Sequence, residues 1–341
     1  MINRRWVLTS YAQGAPDESL WTLEDAAIPA IAPGEVLVRT LWLSMDPYLR
    51  ARLNPGRGLP LGEVMSSSGI GEVVESRHAD WAAGDLISVP DLGWQEFASV
   101  DPDAPGIVTC ERIHHDDPEP QAALSWLGMV GFTAYFAMTK VARPAPGDTV
   151  VVSAAGGGVG QIAGQIAHLA GARVIGIAGS DEKLAHCRSI GFDEGINYRA
   201  SEDLSAEIGA ACPQGVDVFF DGTGGAVHDA VLTRLAPRAR VAIVGRIAVA
   251  GSGAADVGTR ASSRLIDTRA TIQGFTVYDW WHRRQEAVTR LRQWREGRQL
   301  HVREDVMDGI ASAPVAFVRM MRGENIGKQL VAVHRRVEKA A

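Results

Sequence analysis

SAAGGGVGQIAG, residues 153–164, decides the fold. It places glycine at 156, 157, 158, 160 and 164. A continuous apolar run, TVVVSA at 149–154, leads into it, and Ile162, Ile166 and Leu169 recur at helical spacing beyond it. Written against G-x-G-x-x-G, the match is Ala155, Gly157 and Gly160, with alanine in place of the first glycine. A helix that starts here presents unpaired backbone N–H groups and the positive end of its dipole, which stabilise a pyrophosphate without any basic side chain. The stretch also reads as a tight strand-to-helix turn, or as a site for another nucleotide such as S-adenosylmethionine. The second strand that follows, RVIGIAG at 173–179, favours a dinucleotide. Gly157 and Gly160 are expected to admit the phosphates and Gly164 to let helix meet sheet, with Gly156 and Gly158 the less constrained pair.

Outward from this turn, strands and helices alternate. A helix is expected from Asp181, and VDVFFD (216–221), RVAIVG (240–245) and TIQGF (271–275) are apolar runs of strand length. That order predicts an α/β fold, a doubly wound parallel sheet with helices on both faces. Before residue 125 the pattern differs: WVLTS, GEVLVRTLWLS, GIGEVVES and DLISVP are short strand-like runs bracketed by glycine or proline, so a β-rich unit is expected. SWLGMVGFTAYFAMTKVA, from Ser125, has apolar residues at helical spacing, and the last long helix is expected over residues 279–296.

The chain has 341 residues, 46% hydrophobic and 22% charged, with a net charge of -6. Two domains are expected at this length. The acidic balance carries no electrostatic footprint for nucleic acid, and no apolar run approaches the about 20 residues that span a bilayer. A cytoplasmic protein is expected, since MINRRWVLTS leads into a polar stretch where a signal peptide would have its apolar core. Cys110, Cys187 and Cys212 are too widely spaced for a C-x-x-C metal site, and no metal is expected.

The second strand ends Ile177-Ala178-Gly179-Ser180, where an NAD site places an acid for the ribose 2′-hydroxyl. The small pair leaves room for a 2′-phosphate, and Lys183 stands one turn into the next helix, where it can pair with one. NADP(H) is the expected cofactor. Asp181 keeps NAD open, although it also suits a first-turn acid on the helix dipole.

These segments, taken with LSMDPYLRARL, GWQEFASV, GFDEGINY and GENIGKQLV, resemble the zinc-independent medium-chain dehydrogenase/reductases, specifically the prostaglandin, 2-alkenal and curcumin double-bond reductases. The resemblance implies a GroES-like β-rich domain from residues 1–124 and 301–341, a Rossmann domain from 125–300, the cofactor in the cleft between them, and a homodimer joined through sheet edges. It implies NADPH-dependent reduction of the C=C bond of a small-molecule α,β-unsaturated carbonyl compound. Ala155, Gly157, Gly158, Val159 and Gly160 would hold the pyrophosphate, with Ser180, Lys183 and Tyr198 at the 2′-phosphate. Phe275, Val277 and Asn325 would stand toward the nicotinamide, with Gly245 and Arg246 as further cofactor-binding residues, Arg246 reading equally as a group that recognises a substrate carboxylate. Tyr48 is the expected proton donor, and Met45, Tyr48, Ser66, Met129 and Arg246 are expected to line the substrate.

The zinc enzymes of the wider superfamily need a catalytic cysteine, a His-Glu pair and a lobe of closely spaced cysteines, which this sequence lacks. Conjugate reduction needs only hydrogen-bond donors at the carbonyl oxygen and a proton for the α-carbon. Quinone reduction in the same cleft and a non-catalytic NADPH-binding sensor are the alternatives. Three departures stand out. GRIAVAG (245–251) has Arg246 and no tyrosine where relatives carry one, Gly222 replaces an asparagine, and Ser66-Ser67-Ser68 replaces a glycine-rich stretch. The Ala/Gly/Ser-rich residues 249–263 read equally as a loop over the cleft or as interface.

Overall fold

The computed structural model describes residues 2–56, 58–114, 117, 119–250 and 257–334. The chain divides into two compact units, one of Met1–Leu124, Asp305–Asn325 and Gln329–Ala341, the other of Ser125–Glu304 and Ile326–Lys328.

The first unit is built on strands. β1 (Ile2–Leu8) pairs antiparallel with β2 (Trp21–Ala27). β3 (Val36–Ser44), β4 (Gly69–Ser76), β5 (Leu86–Val89), β6 (Phe97–Val100) and β7 (Glu111–Ile113) follow. β3 is the hub, antiparallel to both β4 and β6, and most of its residues are buried, which fits its nearly unbroken apolar reading VLVRTLWLS.

The second unit opens with α1 (Met129–Phe136), which widens into a π-helical turn over Ala137–Ala142. Then β8 (Thr149–Ser153), α2 (Gly158–Leu169), β9 (Arg173–Ala178), α3 (Asp181–Ser189), β10 (Glu194–Asn197), α4 (Leu204–Ala211), β11 (Val216–Asp221), α5 (Gly225–Leu232) and β12 (Leu235–Ile243) alternate. α6 (Ile247–Ala250), α7 (Ser262–Thr268), β13 (Thr271–Gly274) and α8 (Arg284–Glu296) complete it. The six strands form one sheet in the order β10-β9-β8-β11-β12-β13, with parallel pairing throughout. The order reverses between β8 and β11, and open α/β sheets bind ligands outside the carboxyl ends of the strands at such a switch point. Val151, Ile175, Phe219 and Val241, one from each central strand, meet in a common core.

The expected helix over residues 279–296 is α-helical only from Arg284; Val277–Arg283 is a tighter 3-10 run. Two adjacent tryptophans of this run pack on α1. Trp280 stacks on Phe136, with centroids 5.6 Å apart, and Trp281 meets Phe132 edge-on at 5.5 Å.

The tail returns to the first unit. β14 (Glu304–Asp308) and β15 (Lys328–Ala332) join its sheet, β15 antiparallel to β3, around α9 (Ala313–Met321). α9 buries Phe317 against Trp21 and Trp94, each 5.9 Å away, and those two rings lie 5.1 Å apart. Among the described residues no helix is long and apolar enough to cross a membrane.

Candidate active site

β8 delivers its chain into the glycine turn through Ala154, whose φ of 49° is rare for a residue with a side chain. Ala155 is fully buried, with its N–H donating to the Ile177 carbonyl at 3.1 Å. Gly157 is the residue before α2, and no side chain caps the helix. The amides of Gly158, Val159 and Gly160 therefore head a helix with neither a capping hydroxyl nor an acidic first turn, which fits a pyrophosphate. A Cβ on Gly160 would collide with the Ala154 carbonyl, and one on Gly164 with the Phe192 ring.

Gly156 corrects the expectation that it is loosely constrained. A Cβ there would stand 2.8 Å from Cβ of Lys183, whose stem lies across the turn, and its carbonyl accepts from the Gly327 N–H at 2.7 Å. The bond to Gly327 brings the GENIGK segment alongside the turn, two residues after the buried Asn325.

At the end of β9, Ser180 caps α3 by accepting from the Lys183 N–H at 3.3 Å. Lys183 itself is only 9% exposed. Tyr198 follows β10 and donates its N–H to the Ala178 carbonyl at 3.1 Å. Its ring and hydroxyl fold over Gly179, as does Nε of Arg199, a residue the sequence reading passed over. The signal was its adjacency to Tyr198. Asp181 accepts from the Asn197 amide at 2.9 Å.

Beyond β11, Asp221 is fully buried. Its carboxylate accepts from Ser153 Oγ at 3.0 Å and from the N–H groups of Thr223 and Gly224, and it pairs with Nδ1 of His228 at 2.8 Å. Burial alone would push this carboxyl up, but the bonds from His228, Gly224 and Thr223 outweigh burial and hold it below the usual carboxylate range. Gly245 packs on the Gly222 carbonyl, leaving no room for a Cβ, whereas a Cβ on Gly222 would meet only ordinary contacts at 3.6 Å. Arg246 is exposed and starts the turn into α6; with Asp221, Gly224, His228, Asp229 and Thr259 it lines a cavity of about 320 Å³. Of the 249–263 stretch, residues 251–256 lie outside the described residues. The Phe275 N–H donates to the Ile243 carbonyl at 2.9 Å, and Val277 is buried. Gly157, Ser180, Tyr198, Gly245 and Phe275 thus follow the carboxyl ends of five parallel strands of one sheet.

In the first unit, Tyr48 lies in the 3-10 run Pro47–Leu53, 42% exposed, with its hydroxyl 3.2 Å from Ser68 Oγ. The three serines have separate partners. Ser66 donates to Asp91 at 2.8 Å, Ser67 to the Ser44 carbonyl at 2.7 Å, and only Ser68 meets the phenol. Met45 is buried in the apolar core of this unit. Met129, half-buried, begins α1 in the second unit.

Comparison with known proteins agrees with this geometry. A family described as the N-terminal domain of oxidoreductase matches residues 4–108, and one described as zinc-binding dehydrogenase matches 158–293. A putative NADP-dependent oxidoreductase of Bacillus subtilis (strain 168) is 40% identical over 329 residues, 94% of this chain and 95% of the relative. The NADPH-dependent curcumin reductase of Escherichia coli (strain K12) is 36% identical over 97% of both chains. The chain belongs to the zinc-independent medium-chain dehydrogenase/reductases. Among solved structures, CurA from Vibrio vulnificus in complex with NADPH superposes on this reductase with a TM-score of 0.90 at 34% identity, covering 98% of this chain and all of that one. Among the described residues of this family member, no group of three or more His, Cys, Asp or Glu is placed to hold a metal ion.

Proposed function

We propose that this reductase adds hydrogen across the C=C bond of an α,β-unsaturated carbonyl compound, an enone or enal. It is an NADP-dependent oxidoreductase acting on CH–CH bonds; the electrophile is what is proposed. When bound, NADPH would supply the hydride that the β-carbon of the substrate takes up. The glycine turn 155–160 would hold the pyrophosphate, Ser180, Lys183 and Tyr198 the 2′-phosphate, and the segments at Gly245, Phe275 and Asn325 the nicotinamide end.

The observation that carries the reading is the exposed phenol of Tyr48, tethered to Ser68 Oγ. Hydride addition leaves negative charge on the substrate carbonyl oxygen and requires a proton at the α-carbon. An outward-facing O–H fixed by a second hydroxyl suits both demands, because a donor already oriented does not reorganise as charge develops. The reduced ketone or aldehyde then leaves with one hydrogen from the cofactor and one from the phenol, which solvent reprotonates.

NADPH oxidation followed at its absorbance band tests this with an alkenal, an aryl enone, a quinone and a saturated ketone. Turnover of the alkenal or enone is expected. Consumption with the ketone or quinone alone would overturn it, and tight NADPH binding without turnover of any would point to a sensor. A homodimer is proposed as well: β13 ends the six-stranded sheet, leaving a strand edge for the same strand of a second copy.

A further inference from the structure

We infer that Arg199 is a specificity-determining residue for the phosphorylated cofactor, admitted to the site by the missing side chain of Gly179. The inference rests on the 2′-phosphate reading of Lys183 and Tyr198 and adds to it a second cation on a different element. A Cβ on Gly179 would stand 3.0 Å from Nε of Arg199 and 3.1 Å from both Cε1 and the hydroxyl of Tyr198. Guanidinium and phenol therefore occupy the space above the last residues of β9, where an NAD-selective site would carry its acid. The two side chains also support each other, with the guanidinium carbon 5.8 Å from the centre of the Tyr198 ring.

The surrounding charges agree. Asn197 accepts the Arg199 backbone N–H on its side-chain oxygen at 3.2 Å and donates its amide to the Asp181 carboxylate at 2.9 Å. One residue thus braces the arginine and engages the acid that would otherwise face the ribose. Lys183 reaches the turn from α3, with its stem against Gly156, so its ammonium acts as a point charge from one side. Arg199, two residues beyond β10, brings a planar fork of donors over Gly179, the geometry that matches two phosphate oxygens at once. Both Tyr198 and Arg199 are exposed, so an incoming phosphate can reach them.

The test is cofactor binding to the full chain, measured by quenching of protein fluorescence with NADPH and NADH, and by competition with adenosine 2′,5′-bisphosphate. Arg199→Ala should weaken NADPH and the bisphosphate about tenfold and leave NADH unchanged, and Arg199→Lys should recover part of the loss. Thermal melts of Arg199→Ala and Arg199→Gln show whether either variant is folded. Equal effects on NADPH and NADH, or no effect on either in a folded variant, would overturn the assignment. If Lys183→Ala weakens NADPH selectively while Arg199→Ala does not, the 2′-phosphate site stands and the role of Arg199 falls. If neither is selective, both fall.

Discussion

The stem of Lys183 occupies the place where a side chain on Gly156 would stand, with Cβ of the lysine 2.8 Å from that position. One residue ends the first strand-to-helix turn and the other lies in the next helix. Their contact joins the glycine turn, proposed to hold the pyrophosphate, to the proposed 2′-phosphate site in a single packed unit. Gly156→Ala should therefore displace Lys183 and weaken NADPH several-fold while leaving NADH nearly unaffected, as read by fluorescence titration with both cofactors. Lys183→Glu should do the same more strongly, because it sets a like charge against the phosphate.

Gly164 tests the packing of α2 on its neighbours. Its Cβ would enter the Phe192 ring, so Gly164→Ala should cost about 1–3 kcal/mol. Urea unfolding measures the loss, and adding Phe192→Leu should restore part of it. An additive double mutant would show that the ring is not what excludes the methyl group.

Gly222 invites the opposite change. The space beside it is open to a side chain at ordinary contact distance from Ala154 and Ser153. Gly222→Asn should leave the melting temperature within a few degrees of the parent and tighten NADPH. A large fall in melting temperature would contradict the clearance.

Asp221 gives stability a pH dependence. Its carboxyl titrates below the usual range in the folded chain, so its contribution is complete above the unfolded value of about 3.9 and is lost as pH falls from there through the folded value. Asp221→Asn should destabilise the protein at neutral pH by about 3 kcal/mol and flatten the acid limb of the stability curve. Urea midpoints at several pH values between 3 and 7 would reveal an unchanged limb if the carboxylate were not responsible.

Tyr48→Phe should lower turnover by about 100-fold with NADPH affinity unchanged. Ser68→Ala should lower it less, through loss of orientation, whereas Ser66→Ala should leave turnover near that of the parent. Undiminished turnover in Tyr48→Phe would remove the phenol from the proton-donor role.

Much of the fold was legible where two local signals coincide. The starts of α2 at Gly158 and α3 at Asp181 follow from an apolar strand run meeting a glycine turn in one case and a serine cap in the other. β10 was harder: EGIN has one fully buried residue, Ile196, and too few positions for a period to show. The 3-10 run before α8 sets Trp280 and Trp281 against Phe136 and Phe132, far back in the chain, and nothing local in the sequence announces it. The proposed site residues follow the same division. Lys183 was visible through the spacing of its motif, but the constraint on Gly156 exists only once α3 has packed. Three consecutive serines look alike in sequence, and the way the chain enters β4 decides that Ser68, and not Ser66, meets Tyr48.

The hydrogen bond from Gly327 to the Gly156 carbonyl has a consequence for biosynthesis. About half of the chain separates the two partners, and the later one is made long after the turn. The strands and helices of the nucleotide-binding unit can assemble while the chain is still growing, but its glycine turn gains this support only once residue 327 has been made. Nascent chains truncated before residue 327 should accordingly collapse without retaining cofactor, so that competence to bind NADPH waits on a segment made far downstream of the turn.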